Sequence, residues 1–126
     1  MSEHGLTPEL LEQVVREFYA TARQDALLGP VFTRVHDWED HIARITAFWC
    51  AVALGIHNYS GRPVPAHMPL GLSRAHFARW FALWRQTVEA LCPPAGAALL
   101  VDRAGMIGGN IANILEAHGG LMGEQA

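Results

Sequence analysis

Three side chains with polar tips interrupt otherwise apolar helical patterns: Tyr19 after Phe18, His41 between Trp38 and Ile42, and Trp80 between Phe77 and Phe81. A phenol, imidazole or indole buried without a partner costs on the order of 1–3 kcal/mol. Each tip therefore has to meet a backbone carbonyl, the surface or a ligand. One such residue on each of three patterns points to a shared pocket, with His41, Ile45 and Trp49 at i, i+4 and i+8 along one wall. His67 is a fourth candidate, in Arg62-Pro63-Val64-Pro65-Ala66-His67-Met68-Pro69-Leu70. It reads either as a solvated loop imidazole or as a ligand on a stiffened segment, neutral imidazole being the commonest metal ligand.

Other chemistries lack their residues. The chain has nine Arg and no Lys, which removes a P-loop and Schiff-base chemistry through an internal Lys. There is no HExxH, no CxxC, no Cys/His set with zinc spacing and, with three Ser, no Gly-x-Ser-x-Gly. Cys50 sits in Phe48-Trp49-Cys50-Ala51-Val52 and Cys92 before Pro93-Pro94, so both are expected as buried, reduced, structural thiols. His76, one turn before Trp80, flanks that face; His57 stands beside turn residues, and His4, His36 and His118 are expected at the surface.

The nine Arg are scattered from Arg16 to Arg103 among twelve acids, for a net charge of −3. No basic stripe exists to meet a phosphate backbone, so no nucleic-acid partner is expected. The longest uncharged stretch, Ile45 to Gly61, includes His57, Asn58 and Tyr59, and its apolar part falls short of the roughly 20 residues that span a bilayer. Met1 to Gly5 lacks the basic and apolar regions of a secretion signal. A cytoplasmic protein without a membrane partner is expected.

Four helical segments would position these residues. With 126 residues, 51% hydrophobic, the chain suits a single domain over 1–126 that hides roughly two-thirds of its unfolded surface. The first helix opens at Thr7 as N-cap, with Pro8 at its first position and Leu11, Val14, Val15, Phe18 and Ala22 on one face, until an Asp25–Pro30 turn. After a connector carrying Phe32, a second helix runs from near Asp37 to Leu54-Gly55 with a stripe of Trp38, His41, Ile42, Ile45, Phe48, Trp49 and Val52. A Gly- and Pro-rich connection from Gly55 to Leu72 follows, long enough to suggest a function. A third helix, capped by Ser73, is expected to bury Phe77, Trp80, Phe81, Trp84, Val88 and Leu91. A fourth follows Pro93-Pro94 and closes near Gly119-Gly120. No segment alternates with period two, so the class is all-α.

Read in order, these residues resemble the truncated haemoglobins, and within them the third group, the short bacterial globins. The resemblance covers nearly the whole chain. It rests on Phe18-Tyr19, then Asp25-x-x-Leu28-Gly29-Pro30-x-Phe32, Trp38-x-x-His41, Phe48-Trp49 with Leu54-Gly55, and Tyr59-x-Gly61-x-Pro63-x-x-x-His67. His76-Phe77-x-Arg79-Trp80 and the Arg103-Ala104 to Ile107 region complete it. Ala53-Leu54-Gly55 stands where the family usually has Leu-Leu-Gly. The Gly-Gly pairs at the interhelical corners of the other two groups are missing, which favours the third.

The resemblance implies a shortened, two-on-two helical sandwich around a non-covalent haem b. By the same resemblance His67 is the proximal ligand on the iron, and Tyr19, His41 and Trp80 are distal residues. Phe32, Ile45, Phe48 and Trp49 are pocket walls, and Arg79 and Arg62 are candidates for the haem edge. The implied activity is binding of O2, CO and NO at a polar distal pocket, with turnover of nitric oxide or peroxide through an unidentified electron donor as an extension. Phenol, indole and imidazole donors favour O2 because it gathers negative charge when held. Two alternatives come from other classes. One is a haem-free helical interaction module presenting Trp38 and Trp84; the other is a small protein holding a non-haem metal through His57, His67 and His76.

Overall fold

The structure, a computed structural model, describes residues 4–56 and 74–117. Among these there are four α-helices and no strand: α1 (Pro8–Ala22), α2 (Trp38–Leu54), α3 (Arg74–Leu91) and α4 (Pro94–Ala117). The helix starts follow local chemistry. Thr7 has extended backbone angles and its hydroxyl accepts from the Leu10 N–H at 3.1 Å, while Pro8 fills the first position. Asp37 caps α2 in the same way, accepting from the Asp40 N–H at 3.1 Å, with Glu39 and Asp40 favourably placed in the first turn. α2 stops at Gly55, whose φ of 72° is left-handed. Nothing lies within 4 Å of where its Cβ would be, so conformation rather than space calls for glycine there. The expected caps at Ser73 and Gly119-Gly120, and the Gly55–Leu72 connection beyond Ile56, lie outside the described residues.

The connector carrying Phe32 is more ordered than its composition implies. Gly29–Arg34 forms a 3-10 turn, its start closed by the Val31 N–H on the Leu28 carbonyl at 3.0 Å. Gly29-Pro30 reads as a loop in sequence, yet proline in the first turn of a helix needs no donor and brings a suitable φ.

α4 packs on α3, α1 packs on both α2 and α3, and α2 also touches α4. At their meeting point Trp49 of α2 stacks on Trp84 of α3, centroids 4.5 Å apart, and Phe18 of α1 meets Trp84 edge-on at 5.5 Å. Leu11, Val14, Val15, Val88 and Leu100 complete this fully buried core. Trp84 is 1% exposed and its Nε1–H donates to the Leu100 carbonyl at 3.1 Å. That corrects the idea of Trp84 as a partner surface: its indole is enclosed and its one donor is used inside the fold. Trp38 is partly buried as well.

The third helix departs from expectation in a second way. Leu83, Trp84 and Val88 are buried, but Phe77, Trp80, Phe81 and Leu91 are only half-buried. Periodicity marks a face as apolar; whether protein covers it depends on the partner. Cys50 is buried, as expected, whereas Cys92 is half-buried. Both thiols are free, and burial pushes both above the ordinary thiol range, which suits unreactive groups.

Candidate functional site

Tyr19 and His41 are brought together. Tyr19 lies on the inner face of α1 and is 8% exposed, so its hydroxyl needs a partner inside the fold. That partner is Nε2 of His41, 3.1 Å away, on the first turn and a half of α2. The pair sits in an aromatic enclosure. Around the Tyr19 ring, Phe32 and Trp38 stand edge-on with centroids at 5.4 Å and Phe18 at 5.1 Å, while Trp38 also meets His41 at 5.4 Å. Arg23 closes the outside, its guanidinium 4.1 Å from the Trp38 ring centroid. The 3-10 turn, the end of α1 and the start of α2 thus converge on one hydroxyl and one imidazole.

Burial tunes both groups toward neutrality. It pushes the Tyr19 phenol well above its ordinary range, so the O–H stays intact. It also lowers the His41 pKa, with Arg44 adding to the effect and Asp40 opposing it, which favours the uncharged ring. Two arrangements of the pair follow. With the hydrogen on Nδ1, the phenol donates to Nε2. With the hydrogen on Nε2, the ring donates to the phenol oxygen and leaves the phenol O–H for a third partner.

Trp80 stands on another wall. It lines a cleft of about 300 Å³ between α3 and α4, together with Arg74, Phe77, Phe81, Gly105 and Gly108. That volume is at the lower end of small-molecule sites. Of the expected pocket walls, Phe32 edges Tyr19, and Ile45 and Phe48 are half-buried on α2. Trp49 is 3% exposed and stacked on Trp84. It supports α2 from the core. His67, Arg62 and His57 lie outside the described residues, and His76 is half-buried on α3. Among the described residues no three His, Cys, Asp or Glu gather as a metal site, and no helix is long and apolar enough to cross a membrane.

Two features were not legible beforehand. Thr46 Oγ1, next to Ile45, is buried with no hydrogen-bond partner among the described residues; a threonine in a helix ordinarily back-bonds or meets water, so its type carries no signal. Asp25 and Arg79, 54 residues apart, form a clamp. The Arg79 Nε–H donates to Asp25 Oδ1 at 2.7 Å, and Oδ2 accepts from the Leu27 and Leu28 N–H groups at 3.0 Å each. Arg79, expected at a cofactor's edge, is held by Asp25 through Nε. The clamp ties the turn before Phe32 to the residue before Trp80, and so joins the two walls.

These bonds, the backbone donor of Leu28 first and Arg79 second, hold the Asp25 carboxyl below its usual range. A depressed folded value means stability that is present above an unfolded Asp value of about 4 and is lost as pH falls through the lower folded one. We expect the thermal midpoint to drop on acidification below about pH 4, and Asp25→Asn to make that fall shallower. An identical acid limb in Asp25→Asn would show that the clamp has no such role.

Residues 3–96 match the family model for the bacterial-like globins. A group 3 truncated hemoglobin of Campylobacter jejuni is 28% identical, the match covering 95% of this chain and 99% of that one. The crystal structure of a group III truncated hemoglobin from Campylobacter jejuni superposes with a TM-score of 0.82 at 27% identity, covering 91% of this chain and 95% of the other. The helices, their order and these likenesses agree: the chain belongs to the bacterial-like globin family, as a truncated haemoglobin of the third group.

Proposed function

We propose that this chain holds a non-covalent haem b and binds O2, and also CO and NO, against polar donors on two walls, Tyr19 and His41 on one and Trp80 on the other. Membership of a globin family implies a haem and a small gaseous ligand. The observation that carries the finer reading is the Tyr19–His41 hydrogen bond at 3.1 Å inside an otherwise aromatic enclosure. The residues also fit the group: Ile45, Phe48, Phe77, Trp80 and Phe81 are apolar side chains that the chain's own packing leaves half-covered. Haem is a large apolar plate that such surfaces can cover.

When bound, the haem supplies the iron position that a diatomic gas occupies. In this reading His67 would provide the imidazole on the iron, Phe32, Ile45, Phe48 and Trp49 would form walls, and Arg79 would meet a propionate. The chain's donors set selectivity. Tyr19 keeps its proton because burial raises its pKa, and it can offer that hydrogen when His41 carries its own on Nε2. The Trp80 indole is a donor only. A gas that gathers negative charge is retained by these hydrogens; one that stays nearly neutral gains less. Turnover of nitric oxide or peroxide at the same site, with electrons from a separate donor, belongs to the same proposal.

Reconstitution with haem tests the reading. We expect a red protein with a Soret band and a b-type pyridine haemochrome. His67→Ala should lose most of the haem, and His76→Ala should keep a normal spectrum. A sample that stays colourless after haem supplementation would overturn the proposal, and the reverse pattern in the two variants would move the axial ligand to His76.

A further inference from the structure

The benzo edge of Trp80 lies against Gly108 of α4. A Cβ built on Gly108 would stand 2.9 Å from Cζ3 of Trp80, 3.6 Å from Cε3 and 3.8 Å from Cη2. The first is closer than two carbons tolerate, so any side chain at 108 displaces the indole. Nothing else calls for glycine at this position. It lies within α4, its φ is not left-handed, and glycine is the poorest helix former after proline. Neighbouring Gly109 is exposed, and nothing lies within 4 Å of its would-be Cβ. Two adjacent glycines in one helix therefore differ: Gly108 is buried against Trp80, and Gly109 is exposed with nothing in its way.

The direction of that contact matters. In an indole, Cζ3 lies across the six-membered ring from Cε2, the carbon that carries Nε1. Pressure at Cζ3 is thus transmitted along the ring's long diagonal to the N–H. We propose that Gly108 is a positioning residue for Trp80, its missing side chain setting where the indole N–H stands. The inference rests on the reading of Trp80 as a gas-facing donor and adds the element that fixes its reach. It also gives the glycine a purpose that helix propensity opposes.

Four variants test it: Gly108→Ala, Gly109→Ala, Trp80→Phe and the Gly108→Ala/Trp80→Phe double. In the haem-free chain the indole N–H resonance that disappears in Trp80→Phe should shift in Gly108→Ala and stay in place in Gly109→Ala. Gly109→Ala should raise the thermal midpoint by roughly 3–6 °C through helix propensity. Gly108→Ala should gain less or lose, and should regain the rise in the Trp80→Phe background, where Cζ3 of the indole is gone. In the haem-loaded protein Gly108→Ala should speed O2 release by about three- to tenfold, less than outright removal of the donor, with CO release changing less. That effect should vanish when Trp80 is already Phe. An unmoved resonance, with the thermal gain of Gly109→Ala and unchanged O2 release, would overturn the inference while the effect of Trp80→Phe on O2 upheld the gas-binding reading. Trp80→Phe without effect on O2 release would overturn the inference together with the reading of Trp80 as a gas-facing donor.

Discussion

Tyr19→Phe should release O2 about ten- to a hundredfold faster than the parent, with a much smaller change for CO. A hydrogen bond to a charged partner contributes roughly 1.5–3 kcal/mol, and each 1.4 kcal/mol is about a factor of ten. The loss should appear mainly in the off-rate, because removing a donor does not alter the way in. The substitution is conservative in shape: the ring keeps its edge contacts with Phe18, Phe32 and Trp38, and only the hydroxyl 3.1 Å from His41 Nε2 is removed. Trp80→Phe should show the same contrast between the two gases, and the double variant should fall short of additivity if the donors act as one network. His41→Leu acts through the tautomer that frees the Tyr19 hydrogen, so its effect should resemble a weaker Tyr19→Phe. Stopped-flow ligand replacement measures all of these. Equal acceleration of O2 and CO would mean that steric access controls the pocket, and unchanged O2 release in all three single variants would remove Tyr19, His41 and Trp80 from it.

Trp84→Ala should have the largest effect on stability. The ring is 1% exposed, stacked on Trp49, edge-on to Phe18 and tied by Nε1 to the Leu100 carbonyl. Truncating a large buried aromatic costs about 3–5 kcal/mol, a large part of the roughly 5–15 kcal/mol that a small domain has in total. Trp84→Phe keeps most of the ring and removes the donor, leaving the Leu100 carbonyl with its helical bond alone, so its cost should be nearer 1 kcal/mol. Urea unfolding of the haem-free chain, followed by far-UV circular dichroism, measures both. A Trp84→Ala cost below about 1 kcal/mol would mean that this column of rings is not the centre of the fold.

Local signals were the legible ones. Thr7-Pro8 and Asp37 announced helix starts because a cap is made by residues within three positions of each other, and Gly55 announced a stop for the same reason. The stripe on α2 and the interruptions at Tyr19 and His41 were equally readable, since a polar tip on an apolar face demands a partner. That the two tips meet each other was not, because 22 positions separate them. Distance in sequence also hid the Asp25–Arg79 clamp and the seat of Trp80 on Gly108. The indoles at 84 and 80, one turn apart, look alike in any pattern, yet one is enclosed and the other lines a cleft. Their difference comes from what α1, α2 and α4 cover, which no window along α3 contains.

That difference divides α3 along its length: Phe77, Trp80 and Phe81 of its first half line the cleft, and Leu83, Trp84 and Val88 of its second half are buried in the core. A lineage carrying this helix could therefore change its gas preference by drift in the first half while purifying selection holds the second half for folding. Apart from Arg79, which the Asp25 clamp ties to the fold, adaptation and foldability draw on separate stretches of one helix, and a laboratory library confined to positions 77, 80 and 81 should sample new ligand behaviour with few unfolded members.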